Sequence, residues 1–165
     1  MNTKEFHVMT DIKDIIDACR KQYGNDLYGG NCGMFALALS SYLGERGIES
    51  RLIVFSDYDE AIDGTPESPR SLMDVESSVY HVAIGVGDSI YDGDGENTKE
   101  NILDWISAEY EDFDVSVLDW PSGDKNLESL IRNDTDWTYD KSEFMEFISR
   151  TESRKNQKTA KSPSP

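Results

Sequence analysis

The segment VYHVAIGVGDSIYD spans Val79–Asp92 and contains two apolar, β-rich runs separated by Gly87-Asp88. Runs of this length and composition predict strands, and a Gly-Asp pair between them suits a tight reversal. We therefore expect an antiparallel hairpin with strands over Val79–Val86 and Ser89–Asp92. Two further β-rich runs, Arg51–Phe55 and Asp114–Trp120, predict additional strands, so the hairpin is expected to belong to a small antiparallel sheet.

Helical patterns lie on both sides of these strands. Apolar residues repeat along one helical face before the first strand, which predicts helices over Thr10–Gln22, with Thr10 as N-cap, and over Cys32–Glu45. Further helices are expected after a Thr98 cap, around Leu127–Ile131 and around Ser142–Ile148, with loops over Ser56–Ser78 and Gly93–Asn97. Helices followed by a small antiparallel sheet define an α+β fold.

The chain of 165 residues has the length of one domain, which we assign to residues 1–149. The segment Arg150–Pro165 is basic and nearly free of apolar residues, and it is predicted to be a disordered tail. Without it, the body holds 11 basic and 32 acidic residues, a net charge of −21. A body this acidic repels phosphate backbones, so direct nucleic-acid binding is not expected.

Composition also bears on location and cofactors. No apolar run approaches the roughly 20 residues of a membrane helix, and Met1–Thr10 lacks the apolar stretch of a signal peptide, so a cytoplasmic protein without membrane contact is expected. Two cysteines, Cys19 and Cys32, predict free thiols rather than a disulfide framework. No metal or cofactor is expected; the acidic run from Asp92 lacks the glycine and glutamate that a calcium loop requires at its sixth and twelfth positions.

Cys32 has the position of a nucleophile. It follows a Gly-rich turn and begins a predicted helix, where the helix dipole and free amides favour a thiolate. Gly30 and Gly33 on either side are expected to leave its sulfur approachable. Cys19, on the apolar face of the first helix, is predicted to be a core residue. The structural alternative is that Cys32, like Cys19, is a small buried side chain of the core.

His81 and Asp92 lie on the two strands of the predicted hairpin. Folding about Gly87-Asp88 is expected to bring Asp92 beside His81, so that the carboxylate orients an imidazole that acts as base for Cys32. Taken alone, His81 is more often a satisfied structural residue and Asp92 a turn former. The order of the three residues and the elements they occupy favour a Cys-His-Asp triad over these separate structural roles.

The segments GNCGMFA (residues 30–36) and His81–Asp92 resemble the papain-like cysteine peptidase superfamily, especially the small NlpC-type cell-wall peptidases and transglutaminase-like proteins. The resemblance implies a papain-like domain with N-terminal helices packed on the sheet, Cys32 as nucleophile, His81 as base and Asp92 as the orienting residue. NlpC-type enzymes usually carry aspartate before and serine after the cysteine, where this chain has Asn31 and Gly33.

The resemblance also implies an oxyanion donor upstream of the nucleophile. A papain-type glutamine has no firm match, so Gln22, Asn25 and Asn31 are the side-chain candidates, beside the backbone amide of Cys32. The expected activity is that of a thiol hydrolase or acyltransferase acting on a protein or peptide substrate. Peptidase, amidase, deamidase and transglutaminase outcomes share the acyl-enzyme step and stay open, as does the oligomeric state.

An alternative of another class is a non-enzymatic interaction protein. A body at −21 has the charge to imitate a nucleic-acid surface and to bind a basic protein partner on an inactive papain-like scaffold. Size and charge would suit a small phage or bacterial protein acting on a host target. Reactivity of Cys32 distinguishes the two hypotheses.

Overall fold

A computed structural model describes residues 3–27, 31–56, 79–109, 115–121, 123, 125–134 and 137–161. It has an α+β fold, as predicted, in which helices pack on an antiparallel sheet. The elements in chain order are α1 (Thr3–Tyr23), a 3-10 turn (Gly24–Leu27), α2 (Cys32–Glu45), β1 (Arg51–Ser56), β2 (Val79–Val86), β3 (Ser89–Asp92), β4 (Gly95–Asn97), α3 (Lys99–Glu109), β5 (Ser116–Pro121), α4 (Lys125–Asp134) and α5 (Lys141–Lys161).

The sheet has the strand order β4-β3-β2-β1-β5, and every neighbouring pair is antiparallel. The predicted hairpin is confirmed: β2 and β3 meet at Val86 and Ser89, on either side of a two-residue turn. Gly87 occupies the left-handed region of backbone space with φ +58°, a conformation that glycine adopts without a steric penalty.

Helices cover the sheet unequally. Helices α1, α2, α4 and α5 form the main core against one face, which presents side chains such as Leu52, Val82 and Trp120. Helix α3 packs alone among the described helices on the second face, where Ile102 and Ile106 meet Ile53, Phe55 and Ala83. The alternation of side chains along each strand supplies both cores.

Helix α2 is the central helix of the fold. Eleven of its fourteen residues are buried, including every residue from Cys32 to Ser40. Helices that are apolar on all sides are enclosed rather than amphipathic. The predicted bounds of this helix, Cys32–Glu45, are confirmed. The buried start of α2 carries Cys32, the first residue of the candidate site.

Two local predictions are wrong. Helix α1 begins at Thr3, so Thr10 lies inside it and is no N-cap; residues 3–10 contain no glycine or proline to end the helix. Residues Gly95–Asn97, predicted as loop, form β4 at the sheet edge, because the chain reverses after Asp92 and Gly95 pairs with it. The predicted excursion between β1 and β2 lies outside the described residues from 57 to 78.

The C-terminal segment also differs from the prediction. Helix α5 continues to Lys161 and includes twelve residues of the segment predicted as a disordered tail from Arg150. Phe144 and Ile148 anchor its first turns in the core, and extending an existing helix costs far less than starting one. Glu152 also forms an ion pair with Arg46, whose Nε lies 3.1 Å from Glu152 Oε1. Residues 162–165 lie outside the described part of the chain.

Candidate active site

The start of α2 places Cys32 in a tightly packed environment. Cys32 is buried, with 6% of its surface exposed, so the expectation of an approachable sulfur is wrong for Cys32 itself. Gly33 contributes to this packing, since a Cβ at that position would lie 2.5 Å from Ile131 Cγ2 of α4. A serine after the cysteine, usual in NlpC-type enzymes, would therefore collide with α4. Gly30 lies outside the described residues.

Asn31 ties the start of α2, next to Cys32, to the C-terminal half of the chain. Its Oδ1 accepts hydrogen bonds from the backbone N–H groups of Thr138, at 2.7 Å, and Tyr139, at 3.1 Å. The side chain does not cap α2, and the residue is buried. The connection from α4 to α5 is therefore fixed next to Cys32 by charge-neutral hydrogen bonds in a buried setting.

His81 lies between Asp92 and Cys32. Its Nε2 is 3.0 Å from Asp92 Oδ2, and the side chain of His81 is 12% exposed while that of Asp92 is 5% exposed. A side-chain hydrogen bond with Cys32 is also among the effects that raise the pKa of His81. Because Nε2 is engaged by Asp92, Nδ1 is the ring nitrogen left for the sulfur. His81 thus interacts with both of the other residues of the predicted triad.

The sheet brings Asp92 to His81 by a diagonal contact. Ile84 pairs with Tyr91, and continuing this register places Asp92 across from Ala83 rather than His81. The expected direct pairing is therefore wrong, although the expected contact exists. Residues two apart in a strand lie on the same face, so His81 is the diagonal neighbour of Asp92 on that face. A register irregularity lies beside it on the β1 side, where Phe55 pairs with His81 and Ser56 with Val79, which leaves Tyr80 as an extra residue in β2.

Asp92 is held as a carboxylate by three donors. Besides His81, its Oδ2 accepts Asn97 Nδ2 at 2.9 Å, and its Oδ1 accepts the backbone N–H of Asp94 at 2.9 Å. Burial alone would raise the pKa of Asp92, but the hydrogen bond and charge of His81, with the Asp94 and Asn97 donors, hold the pKa below its usual value. A buried carboxylate is acceptable when its lone pairs are satisfied in this way.

The same contacts act on His81 in the opposite sense. Burial favours the neutral imidazole and lowers its pKa, whereas hydrogen bonds and electrostatic attraction to Asp92 and Cys32 favour the imidazolium. The second group of effects prevails and raises the pKa of His81 to about 10. The surroundings of His81 therefore favour its protonated form.

Two aromatic rings enclose the imidazole. Trp105 of α3 makes an edge contact, with ring centroids 5.7 Å apart, and Phe55 of β1 lies at 6.0 Å. Trp105 is 47% exposed, so one side of its indole meets His81 and much of the rest meets solvent. Trp120 is buried, whereas Trp105 and Trp137 are exposed.

The oxyanion candidates differ in position. Gln22 and Asn25 are exposed, and Asn25 borders a surface depression with Asp17, Arg20 and Lys21. Asn31 is buried beside Cys32, and its two accepted hydrogen bonds fix the amide and leave Nδ2 as its donor. An oxyanion role for any of the three stays a prediction, with position favouring Asn31 and the backbone amide of Cys32.

Sequence reasoning missed Asn97 and Trp105. Asn97 lies two residues beyond a reversal, and its contact depends on β4 pairing with β3, which a three-residue strand hardly indicates. Trp105 reaches His81 because α3 crosses the second face of the sheet, and no local pattern reveals which face a helix covers. The one sequence feature that marks Asn97 is its place as a polar residue immediately before Thr98, the N-cap of α3.

Other parts of the described chain offer less chemistry. A cleft of about 790 Å³ lies at the far end of α2, bordered by Gly44, Arg51 and Asp119, and Arg51 there is already bonded to Asp119. Within the described residues, no group of three or more His, Cys, Asp or Glu is arranged to hold a metal ion. Among the described helices, none has the length and apolar character needed to span a membrane.

Comparison with known proteins finds no family model, no curated protein and no solved structure that matches this chain. The geometry therefore carries the chemical argument. A thiol beside a largely enclosed histidine, which a carboxylate holds by its Nε2, is one arrangement that can activate a nucleophile for attack on a carbonyl.

Proposed function

We propose that this protein is a cysteine-dependent hydrolase or acyltransferase with a papain-like fold, in which Cys32, His81 and Asp92 act together. The observation that carries the proposal is His81, whose largely enclosed side chain bonds Asp92 and also interacts with Cys32. The order of elements agrees with it, since a helix begins at the cysteine and the histidine lies on the following sheet. The substrate class favoured is a protein or peptide carbonyl.

The reaction follows from the charges. Cys32 Sγ, as a thiolate, attacks the carbonyl carbon, and the electron pair of the C=O bond moves to oxygen, where the backbone N–H of Cys32 is the proposed hydrogen-bond donor. Collapse of this intermediate expels the leaving amine, which takes the proton from His81 Nδ1. The resulting acyl-enzyme is released when neutral His81 removes a proton from water or from an acceptor amine. Asp92 remains a carboxylate throughout and keeps the ring oriented.

The experiment compares the two thiols of the folded protein by mass mapping after brief treatment with iodoacetamide. Cys19 is fully buried and burial raises its pKa to about 12, so it should stay unlabelled near neutral pH. Cys32 should react first despite its small exposed area, because its histidine partner favours the thiolate. Faster labelling of Cys19, or equal slow labelling of both, contradicts the proposal.

Variants make the test specific. His81→Ala should slow labelling of Cys32 at pH 6 by about 10- to 100-fold, since an isolated thiol with an ordinary pKa near 8.5 is almost entirely protonated there. Asp92→Asn should act in the same direction but less strongly, and the double variant should resemble His81→Ala. Asp119→Asn is the matched control, because Asp119 lies on the same sheet but pairs with Arg51. Loss of reactivity in the control as well would indicate general unfolding.

One observation favours a second function. The chain carries a net charge of −17, which suits binding to a basic protein. In this alternative the papain-like scaffold is inactive and charge provides the affinity. Binding to a cationic protein that weakens strongly between low and moderate salt, together with an unreactive Cys32, would favour the interaction protein over the enzyme.

A further inference from the structure

Asn97 connects the charged pair to the helix that covers it. Its Nδ2 donates to Asp92 Oδ2 at 2.9 Å, on the same oxygen that bonds His81. Its Oδ1 accepts the backbone N–H of Thr98 at 2.8 Å. Both ends of the Asn97 amide are therefore engaged, which fixes its orientation without any choice between oxygen and nitrogen.

The residues after Asn97 make this anchor rigid. Thr98 caps α3 through a hydrogen bond from the backbone N–H of Asn101 to Thr98 Oγ1 at 3.1 Å, and Ile102 donates its N–H to the Thr98 carbonyl. Ile102 is buried in the second core. One side of Asn97 is thus attached to a packed helix, and the other side to the Asp92 carboxylate. The same helix carries Trp105, which contacts His81.

We infer that Asn97 is a positioning residue for the reaction proposed above: it fixes the Asp92 carboxylate so that Oδ2 stays directed at His81 Nε2. The inference rests on the proposed function. Without Asn97, one of the two donors to Oδ2 is lost, and Asp94 holds Oδ1 alone. The carboxylate is then freer to turn about its Cβ–Cγ bond, and the imidazole loses a fixed partner.

The essential group is then the Nδ2 donor of the Asn97 amide. Two substitutions distinguish loss of this hydrogen-bond donor from loss of side-chain volume. Asn97→Ala removes the donor at every pH. Asn97→Asp keeps the shape but places a carboxyl group against Asp92 Oδ2, where two carboxylates compete for one proton. While that proton is retained, the introduced carboxyl can donate to Asp92 as the amide did. Once it is lost, the two negative charges repel each other.

The titratable groups around this contact are His81 from β2 and Cys32 from α2, both joined to the same network. Glu96, next to Asn97, faces Lys13 of α1 at 3.3 Å, and both are about half exposed. Because solvent screens both charges, they act weakly on the pair of His81 and Asp92. The introduced carboxyl should therefore respond chiefly to Asp92 and His81.

The experiment measures the rate of Cys32 alkylation from pH 5 to pH 9 in the full chain and its variants. Asn97→Ala should be slower by about tenfold across the range, the scale found when a residue that orients a reacting group is removed. Asn97→Asp should approach the wild-type rate at the acid end and fall toward the alanine variant as pH rises. Asn101→Ala is the matched control, since Asn101 is an exposed asparagine in the first turn of the same helix.

The outcomes separate this inference from the function on which it rests. A wild-type His81 that titrates near 6.5 by NMR, with slow labelling of Cys32, overturns the proposed function. A strongly raised His81 pKa in the wild type, with Asn97 variants that match the wild-type profile, overturns the positioning role alone. Slowing by one constant factor at every pH in Asn97→Ala, Asn97→Asp and Asn101→Ala also overturns it, because that pattern reports lost stability. A ratio of variant to wild-type rate that falls with rising pH in Asn97→Asp, and stays constant in Asn97→Ala with Asn101→Ala close to the wild type, supports it.

Discussion

Gly33→Ala should disturb the packing that holds Cys32 in place. The added Cβ would lie 2.5 Å from Ile131 Cγ2, whereas carbon atoms in contact prefer separations of about 3.5–4.0 Å. The start of α2 and helix α4 must therefore separate by about 1 Å. Overpacking of this kind costs about 1–3 kcal/mol, and the better helix propensity of alanine offsets up to about 1 kcal/mol. We expect the free energy of unfolding to fall by about 1–2 kcal/mol.

Gly44→Ala is the matched control in the same helix. No atom lies within 4 Å of a Cβ built at Gly44, so alanine there meets open space. Its effect should be a gain of up to about 1 kcal/mol from helix propensity. Urea denaturation of the two variants, with unchanged slopes, measures the difference directly. Equal stabilities for Gly33→Ala and Gly44→Ala would refute the packing argument.

A second substitution tests the partner. Ile131→Ala removes Cγ2 and should be strongly destabilising alone, by about 2–5 kcal/mol, because a buried aliphatic side chain is lost. When Ile131→Ala is combined with Gly33→Ala, the collision disappears. The double variant should therefore lose less unfolding free energy than the sum of the losses in the two single variants. Strict additivity would show that the two residues are not in contact. Alkylation of Cys32 should also be slower in Gly33→Ala, since the helix start moves relative to His81.

Two further predictions concern pH and reagent preference. Because the His81 pKa is raised to about 10 from an unfolded value near 6.5, its stabilising contribution is complete below pH 6.5 and is lost as pH rises toward 10, at about 1.4 kcal/mol per unit at most. Urea denaturation from pH 6 to 10 measures this loss, which His81→Gln should abolish; an unchanged slope in that variant would contradict it. The exposed indole of Trp105 offers a contact for an aromatic ring, so Cys32 should react faster with N-benzyl than with N-methyl chloroacetamide. Trp105→Ala should lower this rate ratio by about 2- to 10-fold, the size of one aromatic contact. Trp137→Ala, at the other exposed tryptophan, should leave the ratio unchanged, and an equal effect in both would refute the contact.

Local patterns predict much of this fold. The hairpin over Val79–Asp92 and helix α2 have the bounds that strand composition, turn residues and helical spacing indicate. These elements depend on neighbours within a few residues, which is the range over which propensity and periodicity act. The candidate triad belongs to them, since Cys32 begins one element and His81 and Asp92 lie on the other.

The remaining features depend on contacts between distant parts of the chain. The collision that requires glycine at position 33 comes from Ile131, and the support for Asp92 comes from a short edge strand. The diagonal approach of Asp92 to His81 depends on the register of β2 against β3. Counting residues from a turn gives the partners in a regular ladder but says nothing about which side chains bend across it.

The hydrogen bonds from Thr138 and Tyr139 to Asn31 also have a consequence for folding. They close a loop of more than one hundred residues, and contacts of such sequence separation are slow to form. During synthesis Cys32 leaves the ribosome well before its neighbours at 138–139, so the contacts that fix Asn31 form only after those residues have been made. The surroundings of the proposed nucleophile are therefore completed only when synthesis of the chain is nearly finished.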